Sequence, residues 1–236
     1  MINAHTRLHS LDIFRGWAIL LMIVFHFSYD LNYFAFVAID FHRELFWLLF
    51  RYLIVAMFLF SVGVSLKLVH REGIAWDKVK KRSLILLGAS LVVSLSTYIE
   101  FPSTWVYFGI LHFILLVSLV ALPFLSRPYL ALILALAILL ASALGYLRFH
   151  ELFVYVQPLL DLPKRTKDFV PFFPWFGVVL LGIVFVHFRL EAKFTLNPKA
   201  LWHKIPAFLG RHSLLVYLVH LPILFAIVML MAMVRA

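Results

Sequence analysis

Residues 10–31, SLDIFRGWAILLMIVFHFSYDL, carry enough consecutive apolar side chains to cross a bilayer. About 20 residues at 1.5 Å each suffice. Yet the stretch also holds Asp12, Arg15, His26 and Asp30. An ionisable group at membrane depth is costly, so each is a functional candidate by default. Arg15 and His26 are 11 positions apart, which at 100° per residue returns them to within about 20° of one face, about 16 Å apart along the axis. Asp12 lies one turn before Arg15 on nearly the same stripe. Asp30, four residues after His26, is within reach of its ring. The face thus reads as an Asp12–Arg15 pair at one end and a His26–Asp30 pair towards the other. A carboxylate that orients an imidazole suits a general base.

The rest of the chain repeats the apolar theme. Of its 236 residues 64% are hydrophobic, and the mean hydropathy is +1.02. A soluble chain of this size has too much surface to hide that composition. Further apolar stretches run over roughly 45–66, 83–100, 106–125, 129–147, 171–189 and 213–234. They predict an all-α polytopic membrane protein of about seven spans in a single domain covering 1–236. The first stretch carries charges near its start and no small-residue cleavage site follows, so it reads as a retained helix. Pro102, Arg127-Pro128, Pro163, Pro171, Pro198 and Gly210 punctuate the connections.

The net charge is +10. The basic residues sit mainly between the apolar runs, which points to topology and headgroup contact and away from nucleic acid. With the N-terminus inside, the inner segments hold Arg7, Lys67, Arg71, Lys78, Lys80, Lys81, Arg82, Arg127, Arg189, Lys193, Lys199, Lys204 and Arg211. The outer ones hold Arg43, Arg148, Lys164, Arg165, Lys167 and Arg235. The positive-inside rule therefore predicts N-in, C-out. The run Lys78–Arg82 and the basic loop 189–211 also read as a cytoplasmic mouth for a polyanion such as a nucleotide.

Four more residues stand inside apolar runs: Arg51, His112, His187 and His220. His187 reads as an interfacial histidine, and Arg51 as a partner for Asp30, an anion site or a snorkelling side chain. There is no cysteine, no histidine pair with zinc-ligand spacing and no glycine-rich phosphate loop, so no metal site is expected.

Four stretches bring a family into view: Arg7-Leu-His-Ser-Leu-Asp12-Ile-Phe-Arg15-Gly16, Phe108-Gly-Ile-Leu-His112, Asp168-Phe-Val-Pro-Phe-Phe-Pro174-Trp175-Phe-Gly177 and Gly210-Arg-His-Ser213-Leu-Leu-Val-Tyr217-Leu-Val-His220. In this order they resemble the catalytic domain of heparan-α-glucosaminide N-acetyltransferases, in its short bacterial form. Arg15 and His26 also match the Arg-x10-His spacing of related membrane acyltransferases. The resemblance implies that acetyl-CoA in the cytoplasm donates an acetyl group to an extracytoplasmic acceptor, an amino sugar or other envelope glycan. It implies a bacterial inner-membrane location and admits a homodimer. His26 would be base or acetyl carrier, assisted by Asp30, His112 and His220. Asp12, Arg15, Lys80, Arg82 and Arg211 would hold the donor; Arg51, Asp168 and Trp175 would face the acceptor. The eukaryotic enzyme places its histidine later, which makes His42 an alternative. Two other functions fit the residues alone. Buried His and Asp suit a proton or lipid transporter, and polar residues also glue helices in a non-catalytic envelope subunit.

Overall fold

The computed structural model describes residues 9–147, 157, 161–163, 165–194, 196 and 200–235. Arg7, Arg148, Lys164 and Lys199, used above for orientation, lie outside them. The described residues form helices and one isolated bridge, Phe108 with Phe169, with no strand among them. Four helices are long and apolar enough to cross a membrane: α1 His9–Tyr33, α2 Leu45–Val69, α3 Trp76–Glu100 and α8 Ser213–Arg235. Three apolar helices are shorter: α4 Ile110–Val120, α5 Pro128–Ala143 and α6 Phe172–His187. A further α-helix among the described residues, α7 Leu201–Arg211, falls in what the sequence reads as a basic loop.

Local chemistry sets the ends. Pro128 opens α5, where a missing N–H costs nothing. Phe173 is non-helical (φ −104°, ψ 139°) because the following Pro174 disfavours the α region for it. Helix α3 starts earlier than its apolar run. Lys78, Lys80, Lys81 and Arg82 lie in its first two turns, where a search for consecutive apolar residues cannot see them.

The chain divides into two compact units, the first comprising residues up to Phe58 together with those from Ala192, the second Leu59–Glu191. In the first unit α1 and α8 run parallel. Their rings meet at His26 and His220, then at Tyr33 and Phe225, and Arg235 lies over Phe36. Ile19, Met22 and Ile54 form the apolar centre, with Phe50, Leu209 and Tyr217 against it. Helix α7 crosses the start of α1 with backbone on backbone. A Cβ on Gly16 would lie 1.8 Å from the Pro206 carbonyl oxygen, and one on Gly210 1.8 Å from that of Asp12. Helix α7 buries His203, Pro206, Ala207 and Gly210 on one face; the opposite face exposes Leu201, Trp202, Ile205 and Phe208.

In the second unit the helices alternate in direction. Lys67 at the end of α2 donates to the Leu125 carbonyl after α4, and Arg71 pairs with Glu191 after α6. At the opposite end, Thr166 donates to the Trp105 carbonyl and Asp168 accepts from Ile110 at the start of α4. A second glycine crossing joins α2 and α6: a Cβ on Gly63 would sit 1.9 Å from the Val179 oxygen, and one on Gly182 2.3 Å from the Phe60 oxygen.

Candidate active site

The parallel run of α1 and α8 brings His26 against His220. Their ring centroids are 5.0 Å apart and the planes are tilted by 60°. His220 is buried. Its Nδ1 lies 2.6 Å from the Tyr217 carbonyl oxygen. A carbonyl only accepts, so Nδ1 carries the proton and Nε2 is the bare lone pair. That Nε2 is buried and has no hydrogen-bond partner among the described residues. An unsatisfied buried acceptor costs about 1–3 kcal/mol, and a native structure keeps one for a reason.

The expected His26–Asp30 pair does not form. Asp30 is buried one turn beyond, but His26 packs on Phe25 and His220 instead. Helical spacing allowed a contact that the longer-range packing of α8 displaces. Nor does Arg51 pair with Asp30; it is exposed, with its guanidinium over the Tyr52 ring.

Towards the start of α1 the glycine crossing assembles a charge cluster. Asp12 is buried, with Arg15 Nη1 3.9 Å from Oδ1 and Arg211 Nε 3.9 Å from Oδ2. The approach depends on Gly16 and Gly210, since a side chain at either would push α7 off α1. Two guanidinium groups around one carboxylate leave this end net positive.

At the other end of α1 lies an open cleft of about 640 Å³, lined by Tyr29, Asn32, Tyr33, Asp40, Phe41, His42 and Glu44 among others. Its loop is held by its own side chains. Asn32 accepts from the Ile39 N–H, Glu44 from that of Asp40, and Asp40 from those of His42 and Arg43. Buried Phe41 touches both Phe25, the neighbour of His26, and Tyr29. One aromatic layer thus links the histidine pair to the cleft. The sequence pointed to His42 alone here; the signal for the rest was a cluster of turn formers and carboxylates directly after a polar helix face.

The other expected site residues lie in the second unit. His112 Nδ1 accepts from the Gly109 N–H (3.3 Å), and its Nε2 is 3.1 Å from Ser94 Oγ, which itself donates to the Val106 carbonyl. Ser94 must then accept from Nε2–H, so both ring nitrogens are engaged. Asp168 Oδ2 accepts from the Ile110 N–H at the positive end of α4 (3.0 Å). Trp175 is buried in α6, Lys80 is exposed and Arg82 is half-buried. Among the described residues no group of histidines and carboxylates is placed to hold a metal ion.

The family model described as "Heparan-alpha-glucosaminide N-acetyltransferase, catalytic" matches residues 7–222, nearly the whole chain. The chain belongs to this family. No curated protein and no solved structure matches it. Family membership and the four long apolar helices make it an integral membrane protein of acetyltransferase type.

Proposed function

We propose that the protein moves an acetyl group from cytoplasmic acetyl-CoA to an extracytoplasmic amino sugar or related envelope glycan, across a bacterial inner membrane. The observation that carries this reading is the bare, buried Nε2 of His220 beside His26. It lies between a net-positive cluster (Asp12, Arg15, Arg211) and an open cleft rimmed by tyrosines and carboxylates. The cleft has the volume of an ordinary small-molecule site. An odd number of crossings, seven in this reading, is supported by the parallel course of α1 and α8 and by the alternation in the second unit, and an inner N-terminus by the loop charge bias alone.

Coenzyme A is too large and too charged to cross, so only the acyl group has to pass. A neutral nitrogen of His26 attacks the thioester carbon; the C–N bond forms, the C–S bond breaks and coenzyme A leaves as thiolate. The proton lost by the His26 ring goes to the bare Nε2 of His220. The acceptor amine then attacks the acetyl carbon, the His26–acetyl bond breaks, and His220 returns its proton to His26. The acceptor ammonium first gives one proton to His42, and the nitrogen loses a second to the outer water as the amide forms. With the thiolate taking one proton from the cytoplasm, the sum is acetyl-CoA plus ammonium to amide plus coenzyme A plus one proton. Arg15 and Arg211 hold the donor phosphates. Asp40 and Glu44 hold a protonated amino sugar in the cleft, and His42 is placed to take its proton. His112, with both nitrogens engaged, fixes the start of α4 and stays outside the chemistry.

Purified protein in proteoliposomes tests this with acetyl-CoA outside and glucosamine inside, counting N-acetylglucosamine. His26→Ala and His220→Ala are expected to lower the rate by about 10²-fold or more. Unchanged rates in both variants, or proton flux without any acyl donor, would overturn it.

A further inference from the structure

The second unit carries a built cleft that the transfer reaction leaves unused. It encloses about 190 Å³ between the end of α2 and the turn after α4, and its polar lining is Lys67, His70, Arg71 and Ser126. Lys67 is pinned there by donating to the Leu125 carbonyl at 2.6 Å, which leaves two of its three donors. His70 is buried, and its Nδ1 accepts from the Ala75 N–H at 3.1 Å. The ring proton therefore sits on Nε2, a donor without a partner among the described residues. Arg71 is held by Glu191 yet remains about half exposed, with donors to spare.

Lys67, Arg71 and the Nε2–H of His70 present donors to this lining, the Ser126 hydroxyl donates to the Pro123 carbonyl and can also accept, and Glu191 is the carboxylate paired with Arg71. Burial, then the positive charges of Arg82 and Lys78, hold the His70 imidazole below its usual protonation range. The field in the cleft is thus positive, and the histidine meets it as a neutral donor. Size narrows the occupant. The space corresponds to about six waters at roughly 30 Å³ each, short of the roughly 300 Å³ where drug-sized sites begin. A nucleotide does not fit; one phosphate group does. Ile74, Leu122 and Leu125 supply an apolar rim for the stem of a phosphate ester.

We propose that Lys67, His70 and Arg71 form a binding site for a single terminal phosphate group, the monoester head of an anionic membrane lipid or a soluble phosphate. The site does not depend on the acetyltransferase reading.

The full chain, delipidated in detergent, is titrated with phosphatidic acid, phosphatidylcholine and inorganic phosphate while thermal unfolding and native mass are followed. Wild type is expected to bind phosphatidic acid at least tenfold more tightly than phosphatidylcholine. Displacement of that lipid by millimolar inorganic phosphate identifies the free anion as a sufficient ligand; no displacement identifies the lipid. Lys67→Gln still donates to Leu125, and Arg71→Gln changes a partly exposed side chain, so both are expected to fold and to lose tenfold in affinity. Glu191→Gln releases Arg71 and is expected to tighten binding, which a merely structural role would not do. Equal affinity for both lipids, or unaltered affinity in Lys67→Gln and Arg71→Gln, would overturn the proposal.

Discussion

His220 and His112 stand in similarly apolar helices, one in each unit, and their surroundings treat them oppositely. At His112 every polar atom is answered: Gly109 N–H to Nδ1, Nε2–H to Ser94, Ser94 to Val106. At His220 only Nδ1 is answered, Nε2 is buried without a partner among the described residues, and the ring packs against that of His26. The satisfied network stabilises a helix start. The unsatisfied one gives up stability to keep a basic lone pair out of water. The same contrast runs through the carboxylates. Asp168 is spent on a helix terminus, whereas Asp12 gathers two arginines at a net-positive end.

The sharpest way to break the contrast is through the glycine crossings. Gly210→Val puts a side chain where the Asp12 carbonyl already stands, so α7 must leave α1 or the helices must bend. Overpacking of this kind costs about 1–3 kcal/mol and occasionally more. Activity should fall along with stability, because Asp12 loses Arg211. Gly182→Val should cost as much stability in the second unit. Its surviving folded fraction should keep its rate. Gly88 has open space around its Cβ direction, so Gly88→Ala is the control, expected to gain about 0.5–1 kcal/mol from helix propensity. Thermal unfolding in detergent and transfer rate per folded molecule separate the three. Equal loss of rate in Gly210→Val and Gly182→Val would erase the distinction between the units.

A smaller effect sharpens it. His112→Ala strands the Gly109 N–H and the Ser94 hydroxyl, and should cost about 1–3 kcal/mol. The rate per folded molecule should stay within about twofold of wild type. His220→Ala should do the reverse. It removes an unsatisfied acceptor, so unfolding should shift little while the rate collapses. A His112→Ala protein that is fully stable and inactive would move His112 into the chemistry.

These features were unequally legible in the sequence. The long helices were plain, because runs such as 45–66 and 213–234 need only a composition argument. The common face of Asp12, Arg15 and His26 follows from helix geometry, and the Asp12–Arg15 pair forms as the spacing implies. The contact of His26 with His220 was hidden, since it joins residues nearly a chain length apart. Helix α7 was hidden differently. Its buried set His203, Pro206, Ala207 and Gly210 contains little that looks like a core, and its apolar residues Leu201, Trp202, Ile205 and Phe208 point away from the protein. A glycine after a basic stretch reads as a break; here Gly210, with Gly16, makes the closest contact between α7 and α1. The satisfied state of His112 depends on Ser94 and Gly109, ordinary residues that no motif marks.

The smallest prediction concerns pH and a third histidine, His70, which is answered on one nitrogen like His220 but lies in the second unit. Lys67 and Arg71 line the same cleft, and Lys78 and Arg82 add positive charge. Burial, then the charges of Arg82 and Lys78, lower its proton affinity in the folded state. The unfolded chain binds a proton near pH 6.5. Above that value neither state is protonated, and His70 contributes no pH dependence. Below it the unfolded state takes up a proton that the folded state refuses, so stability falls as pH falls, by at most about 1.4 kcal/mol per pH unit. His70→Asn keeps an acceptor for the Ala75 N–H and should flatten this slope between pH 6.5 and 5. A bound phosphate should flatten it too, because an anion beside His70 makes protonation of the folded state easier. Thermal unfolding across that range, with and without phosphate, measures both. A slope unchanged in His70→Asn would assign the acid sensitivity to other groups and leave His70 a purely structural donor.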